Sequence, residues 1–426
     1  MLIEFSVGNF LSIKDRQTLR LDASSITEHR DQLIDAGRYK LLRSAVIYGA
    51  NASGKSNILR AIETLNRIVV TSAASSSTTE IEVEPFLLST ETEGKPSAFE
   101  ILFLLDGIRY RYGFEIDRKA VKAEWLFMAR KEKEKPLFLR EANGIEVFKD
   151  FKEGNGLEER TRDNALFLAI CDQFNGVIAK RVIAWFNKWL PISGLGHDRY
   201  RKFLFNLLDE PVAREDLVGL VKQLNLGFSN ILLQKEKIDI DNEFLSRFSE
   251  ENKHKFFDLV EGELTSGIKT IHKKYNFDYE PVENVIFDLG MHESAGTNKF
   301  FDLLAPIYLI LTKGGILIVD ELDAKLHPLM TQAIIRLFNN PELNPNNAQL
   351  IFATHDTNLL SAKLFRRDQI YFTEKDRYGA TSLYSLVEYQ EEDGTKVRKD
   401  RSFEEDYIRG RYGAIPFIGD LSKMAS

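Results

Sequence analysis

Hydrophobic and polar positions change their period repeatedly along the chain. Residues 2–7 alternate and predict a short strand, and Ser44-Ala45-Val46-Ile47-Tyr48 predicts a buried one. Over Asn57–Val69 the apolar residues Ile58, Leu59, Ile62, Leu65 and Ile68 recur at helical spacing. Thr71–Thr79 is rich in Ser, Thr and Ala and predicts a loop. From 81 to 149 the period falls to two. Phe99, Ile101, Phe103 and Leu105 alternate, the turn Asp106-Gly107 follows, and Ile108, Tyr110, Tyr112, Phe114 and Ile116 alternate again. Val121, Ala123, Trp125 and Phe127 repeat the pattern, so this stretch predicts an antiparallel meander.

Residues 150–285 predict a mainly helical stretch, with amphipathic segments at Ala165–Cys171, Val182–Leu190, Asp209–Leu224 and Asn242–Leu264. A strand near Val285–Leu289, a helix over Lys299–Leu311, a buried strand at Ile316–Val319 and a helix over Pro328–Phe338 follow. The chain closes with a buried strand at Gln349–Ala353, a helix at Leu359–Lys363, and strands at Ile370–Thr373 and Thr381–Leu386. No heptad pattern persists, so long coiled-coil arms are not expected. The expected division is an N-terminal half of a nucleotide-binding domain with a β-rich lobe over 1–150, an inserted mainly helical region over 151–285, and the C-terminal half over 286–426.

Composition changes this picture little. Thirty Phe among 426 residues fit a well-filled core rather than disorder. A net charge of −7 argues against a surface that coats nucleic acid wholesale, although it leaves room for a local basic groove. The single cysteine, Cys171, excludes an internal disulfide and a multi-cysteine zinc site. The N-terminus lacks the pattern of a signal peptide, and the longest apolar run, near Leu303–Leu311, is too short to span a bilayer. The expected location is cytoplasmic, with no membrane partner.

The chemistry begins at Gly49-Ala50-Asn51-Ala52-Ser53-Gly54-Lys55-Ser56, which matches GxxxxGK[ST] between a strand and a helix. The glycines let the backbone wrap a phosphate, and the amides with the helix N-terminus supply positive potential. Lys55 puts a cation on the β and γ phosphates, and Ser56 helps hold Mg²⁺. Gly49, Asn51, Ser53, Gly54, Lys55, Ser56 and Asn57 are therefore the candidate ATP-binding set. Ile316–Glu321 is an apolar strand that ends in two carboxylates, Asp320 for Mg²⁺ and Glu321 as general base for the attacking water.

Two further features select the ABC type of P-loop NTPase. Ser294-Ala295-Gly296 opens a helix about twenty residues before the Asp-Glu strand, and its hydroxyl and amides suit the γ-phosphate of an opposing subunit; a plain helix cap is the competing explanation. His355 ends the strand Phe352-Ala353-Thr354, where a γ-phosphate-sensing His is expected. Asp323 falls at the position of a dimer-facing loop acid. His327 has equal claims as a cap and as a functional residue. The expected fold is α/β: a P-loop NTPase of ABC type with an antiparallel β-rich lobe and an inserted mainly helical region.

These motifs give the chain a close resemblance to the bacterial abortive-infection ABC-type ATPases of the RloA/AbiLi-like group, described as AAA-type ATP-binding proteins. More distantly it resembles the ATPase heads of OLD, RecF and SMC proteins. The marks are Phe5-Ser6-Val7-Gly8-Asn9-Phe10, Tyr48–Asn57, Tyr110-Arg111-Tyr112-Gly113-Phe114, Asp320–Pro328, Thr354-His355-Asp356 and Gly410-Arg411-Tyr412-Gly413-Ala414-Ile415-Pro416. The last of these has no evident chemistry and suggests a docked tail. The resemblance implies ATP and Mg²⁺ as cofactors, ATP hydrolysis, an ATP-dependent homodimer or higher oligomer, and an anti-phage role with a nuclease-like or RloB-like effector encoded nearby. One departure stands out: ABC ATPases carry a Gln between the P-loop and the signature that touches metal and water, yet no Gln lies between Gln32 and Gln173.

A RecF-like DNA-binding repair ATPase is the competing function. Basic runs at Lys131–Lys135, His272-Lys273-Lys274, Arg366-Arg367 and Lys396–Arg401 offer phosphate contacts to nucleic acid, against their ordinary role as solvated faces. A transporter subunit fits poorly with the missing Gln and the large insert. An autonomous nuclease lacks separated metal-binding carboxylates, and a P-loop kinase would need neither Ser294 nor His355.

Overall fold

The computed structural model describes residues 1–193, 198–223, 227–236, 265–390 and 394–415. In chain order the strands are β1 (Leu2–Gly8), β2 (Gln17–Arg20), β3 (Ile34–Ala36), β4 (Tyr39–Leu41), β5 (Ser44–Gly49), β6 (Ser97–Leu105), β7 (Ile108–Ile116), β8 (Val121–Ala129), β9 (Lys135–Glu141) and β10 (Gly144–Val147). They continue with β11 (Trp189–Ser193), β12 (Asn230–Glu236), β13 (Thr265–Tyr275), β14 (Pro281–Asp288), β15 (Ile316–Asp320), β16 (Gln349–Ala353), β17 (Ile370–Lys375) and β18 (Thr381–Ser385). The helices are α1 (Lys55–Thr71), α2 (Phe167–Gln173), α3 (Val177–Phe186), α4 (Asp198–Asp209), α5 (Pro211–Gln223), α6 (Leu289–His292), α7 (Ala295–Lys313), α8 (Pro328–Asn339) and α9 (Phe403–Ile408). The architecture is α/β, and the chain divides into two compact units. One comprises Met1–Leu195, Leu309–Ala324 and Thr331–Ser426; the other comprises Gly196–Tyr308 and Lys325–Met330.

Two sheets build the first unit. The larger has the order β10-β9-β8-β7-β6-β1-β2, and its pairs are antiparallel. The alternation over Phe99–Leu105 and Ile108–Ile116 becomes β6 and β7, joined at Asp106-Gly107, both with positive φ as a tight hairpin turn requires. Their inward residues, including Phe99, Ile101, Phe103, Tyr112 and Phe114, are buried. The second sheet has the order β11-β15-β16-β5-β17-β18, parallel except for the β17–β18 hairpin. Ala45, Val46 and Ile47 are fully buried, as a central parallel strand demands. α1 turns Ile58, Ile62, Leu65 and Val69 into the core shared by the two sheets. Gln349 ties the sheets together: its side-chain oxygen accepts from the Leu2 amide at 2.7 Å, and its nitrogen donates to the Leu2 and Leu42 carbonyls.

Several local expectations shift. The amphipathic segment Val182–Leu190 stops at Phe186, because Trp189 and Leu190 enter β11 beside β15. The helix expected at Leu359–Lys363 is only a single 3₁₀ turn, Thr357–Leu359, capped by Asp356 Oδ1 on the Asn358 amide. The helix expected over Asp209–Leu224 is α5, which begins at Pro211 as its first residue, and α4 precedes it over Asp198–Asp209. The segment Asn242–Leu264 and Leu224 itself lie outside the described residues. In the second unit the stretch after 227 carries a three-stranded antiparallel sheet, β12-β13-β14, beside its helices. Among the described residues no helix is long and apolar enough to cross a membrane.

Candidate functional site

Strand β5 delivers its last residue, Gly49, into a loop that ends at Gly54, the N-cap of α1. Both glycines are required by contact as well as by dihedral. Gly49 has φ 157°, and a Cβ there would lie 2.5 Å from Ser53 Oγ and from Thr373 Oγ1. Gly54 has φ 109°, and a Cβ there would collide with the Thr381 side chain. The loop is clamped from outside the motif. Ser53 Oγ and Thr373 Oγ1 are 2.7 Å apart, and Thr381 Oγ1 donates to the Ser53 carbonyl at 3.0 Å. Asn57 donates to Ser12 Oγ at 2.7 Å, and Ser12 Oγ lies 2.8 Å from Thr381 Oγ1. Ser12, Thr373 and Thr381 escape sequence inspection because they lie far from the glycine motif in the chain. Ser56 is half-buried, while Asn51 and Ala52 face solvent.

Lys55 is 5% exposed, and its ammonium donates to the Gly49 and Ala50 carbonyls at 2.8 and 3.0 Å. Burial lowers its pKa, opposed by the charges of Asp320, Glu321 and Asp323. Those carboxylates come from the mouth of β15, two strands away from β5. Glu321 sits at φ 55°, a left-handed conformation that few residues of its kind adopt and that recurs at functional turns. The turn is pinned by the Leu322 amide on the Ala353 carbonyl, at 3.1 Å. Asp320 Oδ1 and Asp323 Oδ1 are buried with no hydrogen-bond partner. Such oxygens are costly to leave unmade, and a cation or its water shell would satisfy them.

His355 follows β16, the strand between β15 and β5. It is partly exposed to water. The partial desolvation it does undergo, together with the Lys55 cation, holds its pKa below the ordinary histidine value, while Asp323, Glu321 and Asp320 pull upward. The structure therefore brings Lys55, Ser56, Asp320, Glu321, Asp323 and His355 to the carboxyl ends of neighbouring parallel strands. That is where open α/β sheets hold their ligands. Ser193 ends β11 and stands opposite Asp320 in the parallel register, on the side of the sheet away from the P-loop.

Ser294 and Gly296 belong to the second unit. Ser294 Oγ accepts from the Thr297 amide at 3.1 Å, so it caps α7, and a Cβ on Gly296 would come within 2.8 Å of the Lys325 carbonyl. His327 also acts as a cap: its Nδ1 accepts from the Leu329 amide at 3.2 Å at the start of α8. Some members of the basic runs are paired within the protein. Arg366 pairs with Asp368 at 2.8 Å in full burial, and Arg367 pairs with Glu28 at 2.8 Å. His272 meets Glu293 at 2.7 Å, Lys135 meets Asp150, Lys274 meets Glu283, and Arg401 meets Asp406 at 2.7 Å.

The residues fit ATP with Mg²⁺. The cradle excludes a Cβ at both glycines, the cation is in place, and the two orphaned carboxylate oxygens match a hard divalent ion. Among the described residues no group of three His, Cys, Asp or Glu could by itself hold a metal. Mg²⁺ in phosphate sites characteristically takes only one or two carboxylates, with substrate phosphates and water completing its shell.

Fold and site together define a P-loop ATPase of the AAA kind. A family model described as "AAA domain, putative AbiEii toxin, Type IV TA system" matches residues 44–361, which span the P-loop, the Asp320-Glu321 strand and His355, and the chain belongs to that family. No curated protein matches the sequence. Among solved structures the chain is similar to an SmcHead bound to the C-winged helix domain of ScpA, at 13% identity and a TM-score of 0.44 over 90% of this chain and 97% of that one. It is also similar to the SMC head domain from Thermotoga maritima, at 13% identity and a TM-score of 0.40 over 90% and 98%.

Proposed function

We propose that this protein is an ATP-dependent dimerising switch, the regulatory subunit of an RloA/AbiLi-like abortive-infection system that controls a separately encoded effector. The observation that carries the ATPase part is the row of strand ends: phosphate loop on β5, His355 on β16 and Asp320-Glu321 on β15, each beside the next in one parallel sheet. The family description, with its toxin and type IV toxin–antitoxin terms, supports the defence part.

In this proposal Lys55 leaves the two loop carbonyls it now holds and binds the β and γ phosphates. Gly49, Asn51, Ser53, Gly54, Ser56 and Asn57 complete the cradle. Ser56 and Asp320 hold Mg²⁺, which when bound neutralises charge developing on the phosphate oxygens. Glu321, at its left-handed turn, orients the attacking water and accepts its proton. His355 contacts the γ-phosphate, and Ser294 and Gly296 approach it from a second copy of the chain, with Asp323 facing that copy. The site closes only in the dimer, so ATP sets the assembly state and the effector responds to it.

The test uses Glu321→Gln. This variant is expected to bind ATP, lose turnover by about 100- to 10,000-fold, and accumulate as a nucleotide-bound dimer in analytical ultracentrifugation. Unchanged turnover would move the base elsewhere. In cells, the wild-type protein alone should give little protection against phage, and co-expression with the protein encoded beside it should give protection. Full protection from the single chain would exclude a separate effector.

A further inference from the structure

The segment that carries Ser294 begins with an acid. Glu293 directly precedes the residue proposed to meet a γ-phosphate, and a free carboxylate there would repel that phosphate. The fold withdraws it. The Glu293 side chain is only 10% exposed, whereas Ser294 and Ala295 face solvent. Its Oε1 accepts from Thr270 Oγ1 at 2.6 Å and from His272 Nε2 at 2.7 Å, both on β13.

Both donors are held by the sheet. Thr270 is fully buried, paired with Ile231 of β12 on one side and Phe287 of β14 on the other. The His272 ring packs on Phe287 at 4.7 Å between centroids and on Phe228 at 5.8 Å. Phe228 in turn meets Phe301 of α7 at 5.9 Å, and Phe287 stacks on His292 at 5.2 Å. His272 therefore parts company with Lys273 and Lys274, its neighbours in the basic run, which are exposed. A histidine on a solvated face would need neither the rings nor the carboxylate.

Other hydrogen bonds of this turn are local. Ser294 caps α7 at the Thr297 amide, and Asn298 Nδ2 donates to the carbonyls of Leu289, Glu293 and Ser294 at 2.9, 3.2 and 3.2 Å. These bonds tie residues 289–298 to one another. β14 leads into them through α6, a single helical turn with Met291 and His292 exposed. The Glu293 carboxylate reaches outside that local set, to the middle of β13.

We infer that Thr270 and His272 are positioning residues. By holding the Glu293 carboxylate on β13 they present Ser294 and Gly296 to the γ-phosphate of an opposing copy and keep the neighbouring acid off it. The inference rests on the opposing-subunit reading proposed above. It puts the defect of any variant of this cluster in the Ser294 half of a composite site, not in the phosphate-loop half.

The experiment measures kcat and ADP affinity for Glu293→Ala, Glu293→Gln and His272→Phe, and turnover for Glu293→Ala mixed in equal amounts with Lys55→Ala or with Ser294→Arg subunits. Glu293→Ala and His272→Phe, which keeps a ring against Phe287 but loses the donor, should lower kcat by about ten- to a hundredfold, the cost of misplacing a group by about 1 Å. ADP affinity should stay within about threefold, since ADP needs only the phosphate loop. Glu293→Gln, whose amide oxygen still accepts both hydrogen bonds, should stay within about threefold of wild-type kcat. The mixture of Glu293→Ala with Lys55→Ala should exceed the mean of its parents, because one site of the mixed dimer carries neither defect; the mixture with Ser294→Arg should not. Wild-type kcat in Glu293→Ala would overturn the inference, as would a Glu293→Gln variant as slow as Glu293→Ala. So would a Lys55→Ala subunit that rescues Ser294→Arg but not Glu293→Ala, since that marks a general loss of fold. If Lys55→Ala and Ser294→Arg fail to rescue each other, the opposing-subunit reading falls first and takes the inference with it.

Discussion

Lys55→Ala separates a structural lysine from a phosphate-binding one. In the free protein the ammonium holds the Gly49 and Ala50 carbonyls at 2.8 and 3.0 Å. Deleting it leaves two acceptors unmade, at about 1–3 kcal/mol each if both stay dry. The same deletion relieves a cation that burial already disfavours, as its lowered pKa records. The two effects oppose, so the net change in stability should stay below about 2 kcal/mol and the melting temperature should move by only a few degrees. Nucleotide binding has no such compensation. Two charge-assisted bonds to phosphate at about 1.5–3 kcal/mol each, less about 0.5–1.5 kcal/mol for each carbonyl bond surrendered to make them, leave about 2–3 kcal/mol. That corresponds to an ATP Kd weakened about 30- to 150-fold. Isothermal titration with Mg²⁺-ATP reads the affinity, and a thermal melt of the same sample reads the fold. A folded variant whose Kd lies within about threefold of wild type would refute the phosphate-loop assignment itself.

Two further outcomes follow from the same geometry. Ser294→Arg should block closure of the composite site, while an equal mixture with Lys55→Ala subunits should recover part of the activity, since one site of the mixed dimer then carries neither defect; a mixture as inactive as both parents, with subunit exchange confirmed, would deny the opposing-subunit arrangement. His355 should titrate below its ordinary value of 6.5, because desolvation and Lys55 both lower its pKa. With the folded pKa below the unfolded one, its contribution to stability is complete above 6.5 and is lost as pH falls through the folded value. An NMR titration assigned with His355→Gln checks this, and a midpoint at or above 6.5 would contradict it.

The legible parts of the sequence were those where local period and local chemistry coincide. The glycine motif joins β5 to α1, the apolar run ending at Asp320-Glu321 is β15, and the alternation over Phe99–Phe127 becomes the consecutive strands β6, β7 and β8, as their local patterns predict. What stayed hidden depends on distant partners. β11 was hidden because Trp189-Leu190 continues the helical spacing of α3, and only pairing with β15 makes it a strand. The single turn at Thr357–Leu359 in place of a helix reflects the cap at Asp356 and the packing of α9 behind it. Ser12, Thr373 and Thr381 clamp the phosphate loop through contacts between residues hundreds of positions apart. The signature Gly410–Ile415 was visible as a pattern, but its anchoring depends on Tyr407 and Asp406, which precede it.

The position of β5 between β16 and β17 governs how the protein can be made. A ribosome delivers the phosphate loop early, yet the neighbours of its strand, β16 and β17, begin about 300 and 320 residues after Gly49, roughly 15–60 s later at a bacterial synthesis rate of about 5–20 residues per second. Throughout that interval Ser44–Gly49, a strand buried along its whole length in the folded protein, has two open edges and nothing to pair with. The antiparallel lobe from β6 to β10 can zip up as it emerges, because each hairpin follows the last. Nascent chains are thus expected to carry a folded lobe and an unmade nucleotide site until β17 is free of the exit tunnel, so chaperone capture and premature termination act on a form of the protein that cannot bind ATP.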